Sequence, residues 1–181
     1  MDKMIKLILE EAKQAKKGDI DAQYNLGLMY EEGIGVEQSY DQAVYWYQLA
    51  AEQGHVDAQY NLGLMYYNGQ GVAQSYERAV ELWKLAADQG DVKAQCNLGV
   101  MYEKGQGVAQ SYERAVELWK LAANQGDVGA QYNLGVMYEK GQGVAQSYDQ
   151  AVYWYQLAAE QGDVDAQKNL AVMYKKGLGV E

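Results

Sequence analysis

Five Gly-x-Gly triplets are the first candidates for chemistry in this sequence, because glycine-rich loops can hold phosphate groups on their backbone N–H groups. The triplets begin at Gly33, Gly69, Gly105, Gly141 and Gly177. A dinucleotide site needs a preceding strand, a third glycine and a helix that opens directly from the loop, whereas a P-loop needs Gly-Lys followed by Ser or Thr. No triplet meets either requirement. We therefore expect tight interhelical loops in which glycine supplies positive φ angles, and no cofactor.

Acid–base, nucleophilic and metal chemistry have few candidates. The sequence contains one histidine, His55, and one cysteine, Cys96. His55 lies in a turn where Asp91 stands 36 residues later, so we interpret it as a helix N-cap or surface variant. One imidazole and one distant thiol supply neither a zinc ligand set nor a nucleophile–base pair. The sequence predicts no enzyme, no catalytic residue and no metal site.

Charge and composition exclude further classes of partner. The 181-residue chain has a formal net charge of -10, whereas nucleic acids and anionic membranes attract clustered Lys and Arg. One cysteine cannot form an internal disulfide, which is typical of a reducing compartment. The short apolar run after Lys3 is broken by Lys6 and followed by Glu10, unlike a signal peptide or a membrane span. We expect a cytoplasmic protein that binds neither nucleic acid nor membrane.

A strict repeat of 36 residues organises the chain. Each copy contains two segments of helical periodicity, which we name helix A and helix B, joined by the Gly-x-Gly loop. A serine such as Ser75 is placed to cap helix B, and a glycine such as Gly63 would let helix B approach helix A closely. One helix pair cannot bury its own apolar stripes, so the copies must stack. The pattern predicts ten helices and an all-α solenoid.

The predicted boundaries follow from this period. An N-terminal capping helix covers residues 1–21 and a repeat array covers residues 22–181. The array divides into copies 22–57, 58–93, 94–129 and 130–165 and a half copy 166–181.

Helix B differs between copies. It reads YWYQ in the first and last full copies and ELWK in the two inner copies. We expect each helix B to commit one ring to the core, which leaves Tyr45 and Tyr153 exposed.

The copies resemble the Sel1-like repeat family, and through it the tetratricopeptide repeats. The resemblance covers residues 22–181 and rests on Ala, Leu-Gly, Tyr, Gly-x-Gly-Val, Ala, Ala-Ala and a closing Gly, repeated in step. It implies a right-handed α/α superhelix of helix-turn-helix repeats whose concave face is lined by helix A. It also implies that the protein acts as an adaptor that binds other proteins.

The resemblance places the candidate binding residues on the concave helix A face. Asn recurs there at a fixed step, where it could clamp the backbone of an extended peptide, and Tyr would add rigid apolar area. The predicted peptide-binding residues are Tyr24, Asn25, Leu28, Tyr60, Asn61, Leu64, Tyr67, Asn97, Val100, Tyr132, Asn133, Val136 and Asn169. The same predicted face carries Glu31, Cys96, Glu103, Glu139, Lys168, Val172 and Lys175.

Two questions stay open at the level of sequence. The Asn and Tyr positions are equally explained if each Asn bonds a neighbouring helix and each Tyr packs between copies. The function is either a protein-binding scaffold for a peptide or protein segment, preferably basic because the chain is acidic, or a designed or structural repeat scaffold without a dedicated natural partner. In either case, the protein could self-associate through an open C-terminal end.

Overall fold

The computed structural model describes residues 3–179, with side chains from Lys6 onward. This part of the chain forms ten α-helices and no strand. They are α1 Lys3–Lys16, α2 Ile20–Glu32, α3 Tyr40–Glu52, α4 Val56–Asn68, α5 Tyr76–Asp88, α6 Val92–Lys104, α7 Tyr112–Asn124, α8 Val128–Lys140, α9 Tyr148–Glu160 and α10 Val164–Lys176. The predicted all-α class of helix-turn-helix repeats is confirmed. Residues 1, 2, 180 and 181 of the predicted boundaries lie outside the described residues.

The helices form two compact units, α1–α5 up to Asp91 and α6–α10 from Val92 onward. In the first unit, α1 packs on α2, α2 on α3, α3 on α4 and α4 on α5. In the second unit, α6, α7, α8, α9 and α10 pack in the same sequential order. Helices α2, α4, α6, α8 and α10 are the A helices, and α3, α5, α7 and α9 are the B helices.

Local capping sets where the helices begin and end. The hydroxyl of Ser75 accepts the backbone N–H of Arg78 at the start of α5. Helix α4 ends at Asn68 and is capped by Gly69, whose φ of 69° is left-handed and whose N–H donates to the carbonyl of Met65. Both glycines of each described Gly-x-Gly triplet have positive φ, which confirms their interpretation as loop residues.

His55 caps the N-terminus of α4. Its Nδ1 accepts the backbone N–H of Ala58 at 3.2 Å, as the carboxylate of Asp127 accepts the N–H of Ala130 at 2.7 Å in α8. The imidazole therefore replaces a carboxylate in a structural role, and the N-cap interpretation is confirmed.

The contact between helix A and helix B depends on a glycine. A Cβ atom added to Gly63 would overlap the indole ring of Trp83, and one added to Gly27 would lie 2.5 Å from Cδ1 of Tyr47. Trp83 is buried, and its indole N–H donates to the carbonyl of Tyr60 at 3.2 Å. The predicted close approach of the two helices is confirmed.

The aromatic residues of helix B correct one expectation. Tyr45 and Tyr153 are about half exposed, as predicted. Helix α3, however, buries both Trp46 and Tyr47, where only one ring was expected in the core. Trp46 joins a hydrophobic cluster with Ala15 of α1 and with Ala22 and Leu26 of α2.

Within each compact unit, a buried glutamine of a helix A bonds the preceding helix B, a contact that was not predicted from the sequence. Gln59 is 4% exposed and donates to the carbonyl of Ala51 at 3.2 Å. Its own side-chain oxygen accepts from Gln89 at 2.8 Å. The second unit repeats both bonds, from Gln161 to Gln131 and from Gln131 to Ala123. The sequence signal was the strict recurrence of Ala-Gln and Gln-Gly.

Replacing Gln59 with leucine is expected to lower the free energy of unfolding by about 2 kcal/mol, because the buried amide loses two hydrogen bonds. Urea denaturation followed by circular dichroism measures the change. Gln167→Leu is the matched control, since Gln167 is exposed and bonds only the carbonyl of Ala159. Its expected effect is below about 0.5 kcal/mol. Equal effects of the two variants would contradict a special role for the buried amide.

Candidate binding face

The predicted binding residues all lie on A helices and are all partly buried. We call this set the A-helix face and describe it separately for each compact unit. The first unit contributes Tyr24, Asn25, Leu28, Tyr60, Asn61, Leu64 and Tyr67, and the second contributes Asn97, Val100, Tyr132, Asn133, Val136 and Asn169. Partial burial leaves each side chain both a packing contact and a solvent-exposed edge.

In the first unit, a tyrosine hydroxyl satisfies two neighbours. The hydroxyl of Tyr47 donates to the Glu31 carboxylate at 2.5 Å and accepts from the amide of Asn61 at 3.3 Å. Burial, followed by the bond to Glu31, raises the pKa of Tyr47 above its ordinary value. The hydroxyl therefore stays protonated, and Glu31 and Asn61 are engaged within the fold.

The last full copy has the same arrangement. The hydroxyl of Tyr155 donates to the Glu139 carboxylate at 2.7 Å and is hydrogen-bonded to Asn169. Burial, and then the bond to Glu139, raises the pKa of this phenol as well. We call such a group a closed triad, in which a Glu, a Tyr and an Asn from three successive helices share one hydroxyl.

The second unit also holds a triad position without a hydroxyl. Glu103, Trp119 and Asn133 are equivalent to Glu31, Tyr47 and Asn61, but the ring is an indole. The indole N–H is already committed to the carbonyl of Cys96 at 3.2 Å.

The indole therefore leaves two polar side chains without a hydrogen-bond partner among the described side chains. The carboxylate of Glu103 and the amide of Asn133 make no hydrogen bond with any protein group between residues 6 and 179, and both side chains are partly exposed. We call Glu103 and Asn133 the open pair. It offers acceptor oxygens and one amide donor to whatever approaches this part of the A-helix face.

The tyrosines of the A-helix face lie against other rings. Tyr24 stacks on His55 with ring centroids 4.4 Å apart, and Tyr132 lies 5.9 Å from Tyr155. Tyr67 is 5.6 Å from Trp83. Each of these rings is held in place by an aromatic neighbour, which leaves rigid half-exposed area on the surface.

Cys96 takes the place of a tyrosine in α6. Burial, and then the nearby Asp127 carboxylate, raises the pKa of its thiol to about 12. The thiol is protonated at neutral pH and is a weak nucleophile. Within residues 6–179, no group of three or more His, Cys, Asp or Glu side chains is arranged to hold a metal ion. Among the described helices, none is both long and apolar enough to cross a bilayer.

The Asn positions recur uniformly in the sequence, every 36 residues, whereas the structure divides them into two kinds. Asn61 and Asn169 belong to closed triads, and Asn133 belongs to the open pair. The signal in the sequence was the exchange of Tyr for Trp at the triad position of helix B, between Tyr47 and Trp119.

Comparison with solved structures identifies close structural relatives. A protective antigen, c5321 of uropathogenic Escherichia coli, described as having an SLR fold, is 43% identical with a TM-score of 0.92 over 96% of this chain and 37% of that chain. A Sel1 repeat protein from Oxalobacter formigenes is 34% identical with a TM-score of 0.88, over 97% of this chain and 77% of that one. Helicobacter pylori cysteine rich protein B, 22% identical with a TM-score of 0.57, shares the fold over 74% of this chain and 96% of its own.

Sequence comparison agrees with the structural relatives. A putative sel1-like repeat-containing protein, L21 of Acanthamoeba polyphaga mimivirus, is 54% identical over 39 residues, which are 22% of this chain and 7% of that protein. This chain thus spans a small part of the curated relative and 37% of the first structural one. The Sel1 repeat model matches residues 20–55, 56–91, 92–127, 128–163 and 164–181. The chain belongs to the Sel1 repeat family.

Proposed function

We propose that this chain is a protein-binding scaffold that holds an extended peptide segment on its A-helix face, centred on the open pair. Sel1-repeat proteins are generally protein-interaction scaffolds, and their fold is of a non-enzymatic type. No residue is assigned a catalytic role, and the A-helix face of the second unit is assigned to peptide binding.

The observation that supports the proposal is the open pair, whose two partly exposed side chains have no hydrogen-bond partner within residues 6–179. An extended peptide presents backbone N–H and C=O groups in alternation, and a carboxamide such as that of Asn133 can donate to one and accept from another. The carboxylate of Glu103 accepts from a backbone N–H or from a Lys or Arg side chain. Val100, Tyr132 and Val136 are partly buried residues of the same two helices and supply apolar contact.

Charge favours a basic segment. The chain has a net charge of -10, and within residues 6–179 the carboxylate of the open pair forms no salt bridge. Electrostatic attraction of this kind raises the association rate and weakens as salt screens it. We expect peptides rich in Lys and Arg to bind more tightly at low than at moderate ionic strength.

Replacing Trp119 with tyrosine is expected to weaken peptide binding at least about tenfold, because the new hydroxyl would close the triad with Glu103 and Asn133 and withdraw two polar groups from the ligand. The probe is a peptide selected on the wild-type chain from a displayed random library. Its dissociation constant is measured by fluorescence anisotropy. The fold should tolerate the change, because tyrosine already packs against the helix A glycine at Tyr47 and Tyr155.

Tyr47→Trp is the matched control, since it makes the reciprocal ring exchange in the first unit. It leaves the open pair unchanged and frees Glu31 and Asn61, so its affinity for the selected peptide should be at least that of the wild type. The proposal is wrong if Trp119→Tyr binds as tightly as the wild type, or if no peptide is enriched above background.

A further inference from the structure

The first unit contains a cavity of about 180 Å³ between α3, α4 and α5, on the helix B side of the hairpins. Ala51 and Leu62 are buried and form its floor, and Leu82 forms one wall. Exposed side chains, including those of Arg78 and Glu81, form the rim. We call it the α3–α5 cavity. Its buried floor and exposed rim allow a group to enter from solvent.

The repeat explains why the cavity exists. The residue equivalent to Leu82 in α9 is Trp154, which is 8% exposed. Trp154 lies in one hydrophobic cluster with Ala123 and Leu134, the equivalents of Ala51 and Leu62. In the second unit, an indole from the chain itself therefore occupies this position. Leucine is smaller than tryptophan, so the first unit keeps the floor of the site without the ring that fills it.

The size of the cavity suits a single aromatic group. An apolar protein cavity of roughly 150 Å³ is known to bind benzene, and the α3–α5 cavity has about 180 Å³. Its rim is polar, with the guanidinium of Arg78 paired to Glu81 at 2.6 Å and the carboxylate of Glu52 nearby. These carboxylates can accept the N–H of an indole, whereas the buried indole N–H of Trp154 has no hydrogen-bond partner in the described structure.

We propose that the α3–α5 cavity is a binding site for a tryptophan side chain of a protein partner. A ring that enters past the exposed rim leaves its peptide backbone at the surface, and tryptophan anchors of this kind dominate many protein interfaces. A second copy of this chain cannot provide that tryptophan, because Trp46, Trp83, Trp119 and Trp154 are all buried. The inference does not depend on the open pair, which lies on A helices of the other unit.

The test is a titration of the full chain with N-acetyl-L-tryptophanamide, followed through the methyl signals of Ala51 and Leu62 in NMR spectra. We expect saturable shifts with a dissociation constant of about 1 mM, a usual affinity for a ligand of this size. Leu82→Trp fills the cavity as Trp154 fills its equivalent, and should abolish these shifts. Trp154→Leu should open the second position and bring shifts to the methyl groups of Ala123 and Leu134.

Five outcomes would overturn the proposal. The first is the absence of saturable shifts in the wild type, and the second is unchanged shifts in Leu82→Trp. The third is equal binding of N-acetyl-L-leucinamide, which would show that the site does not select an aromatic ring. The fourth is binding of free indole without binding of N-acetyl-L-tryptophanamide, which would assign the cavity to a small molecule. The fifth is self-association that sedimentation detects in the wild type and not in Leu82→Trp, because the occupant would then be a side chain of a second copy and not a tryptophan of another protein.

Discussion

Replacing Gly63 with leucine is expected to lower the free energy of unfolding by about 3 kcal/mol, because the larger side chain overpacks the contact between helix A and helix B. The glycine lies where α4 and α5 are closest, and its first added carbon already overlaps the indole of Trp83. Trp83 is 2% exposed and its N–H is bonded to a backbone carbonyl, so the ring cannot turn away without losing that bond. Urea denaturation followed by far-UV circular dichroism measures the loss.

Ala171→Leu is the matched control for this experiment. Ala171 occupies the equivalent position in α10, where the side chain is exposed. A leucine there should change the stability by less than about 0.5 kcal/mol. If Gly63→Leu unfolded at the same urea concentration as the wild type, the close contact of α5 with α4 at Gly63 would be contradicted.

Replacing Gly71 with alanine is expected to destabilise the chain by about 3 kcal/mol. Its φ of 69° is left-handed, which costs a residue with a Cβ roughly 1–2 kcal/mol. The new Cβ would also lie 2.5 Å from the carbonyl carbon and oxygen of Tyr40, at the start of the preceding helix B. Backbone atoms at a helix start cannot yield as a flexible side chain does, so the clash adds to the strain. Thermal and urea unfolding measure the combined effect.

Gly54→Ala separates the two causes. Gly54 has a φ of 93°, but a Cβ there meets no atom within 4 Å. It should cost only the backbone strain, about half the effect expected at Gly71. Equal destabilisation by both variants would show that the contact with Tyr40 does not limit the packing of successive copies.

The local structure of this protein could be predicted from its sequence. The number and order of the helices, the serine that caps each helix B, the His55 cap and the positive φ of the Gly-x-Gly loops depend on residues within one or two turns of each other. Recurrence of the same pattern every 36 residues made these predictions consistent with one another. The need for a glycine at position 63 could also be predicted from the sequence, because glycine recurs at this position of every helix A that a helix B follows.

Only the tertiary structure decided which of the repeated residues are hydrogen-bonded within the fold. Asn61 and Asn133 occupy equivalent places in sequence, but one bonds the hydroxyl of Tyr47 and the other faces an indole that has none. In the same way, the space beside Leu82 is a cavity, whereas the indole of Trp154 fills the equivalent space in the second unit. Hydrogen bonds and packing between side chains from different helices depend on three-dimensional proximity, which sequence periodicity does not specify.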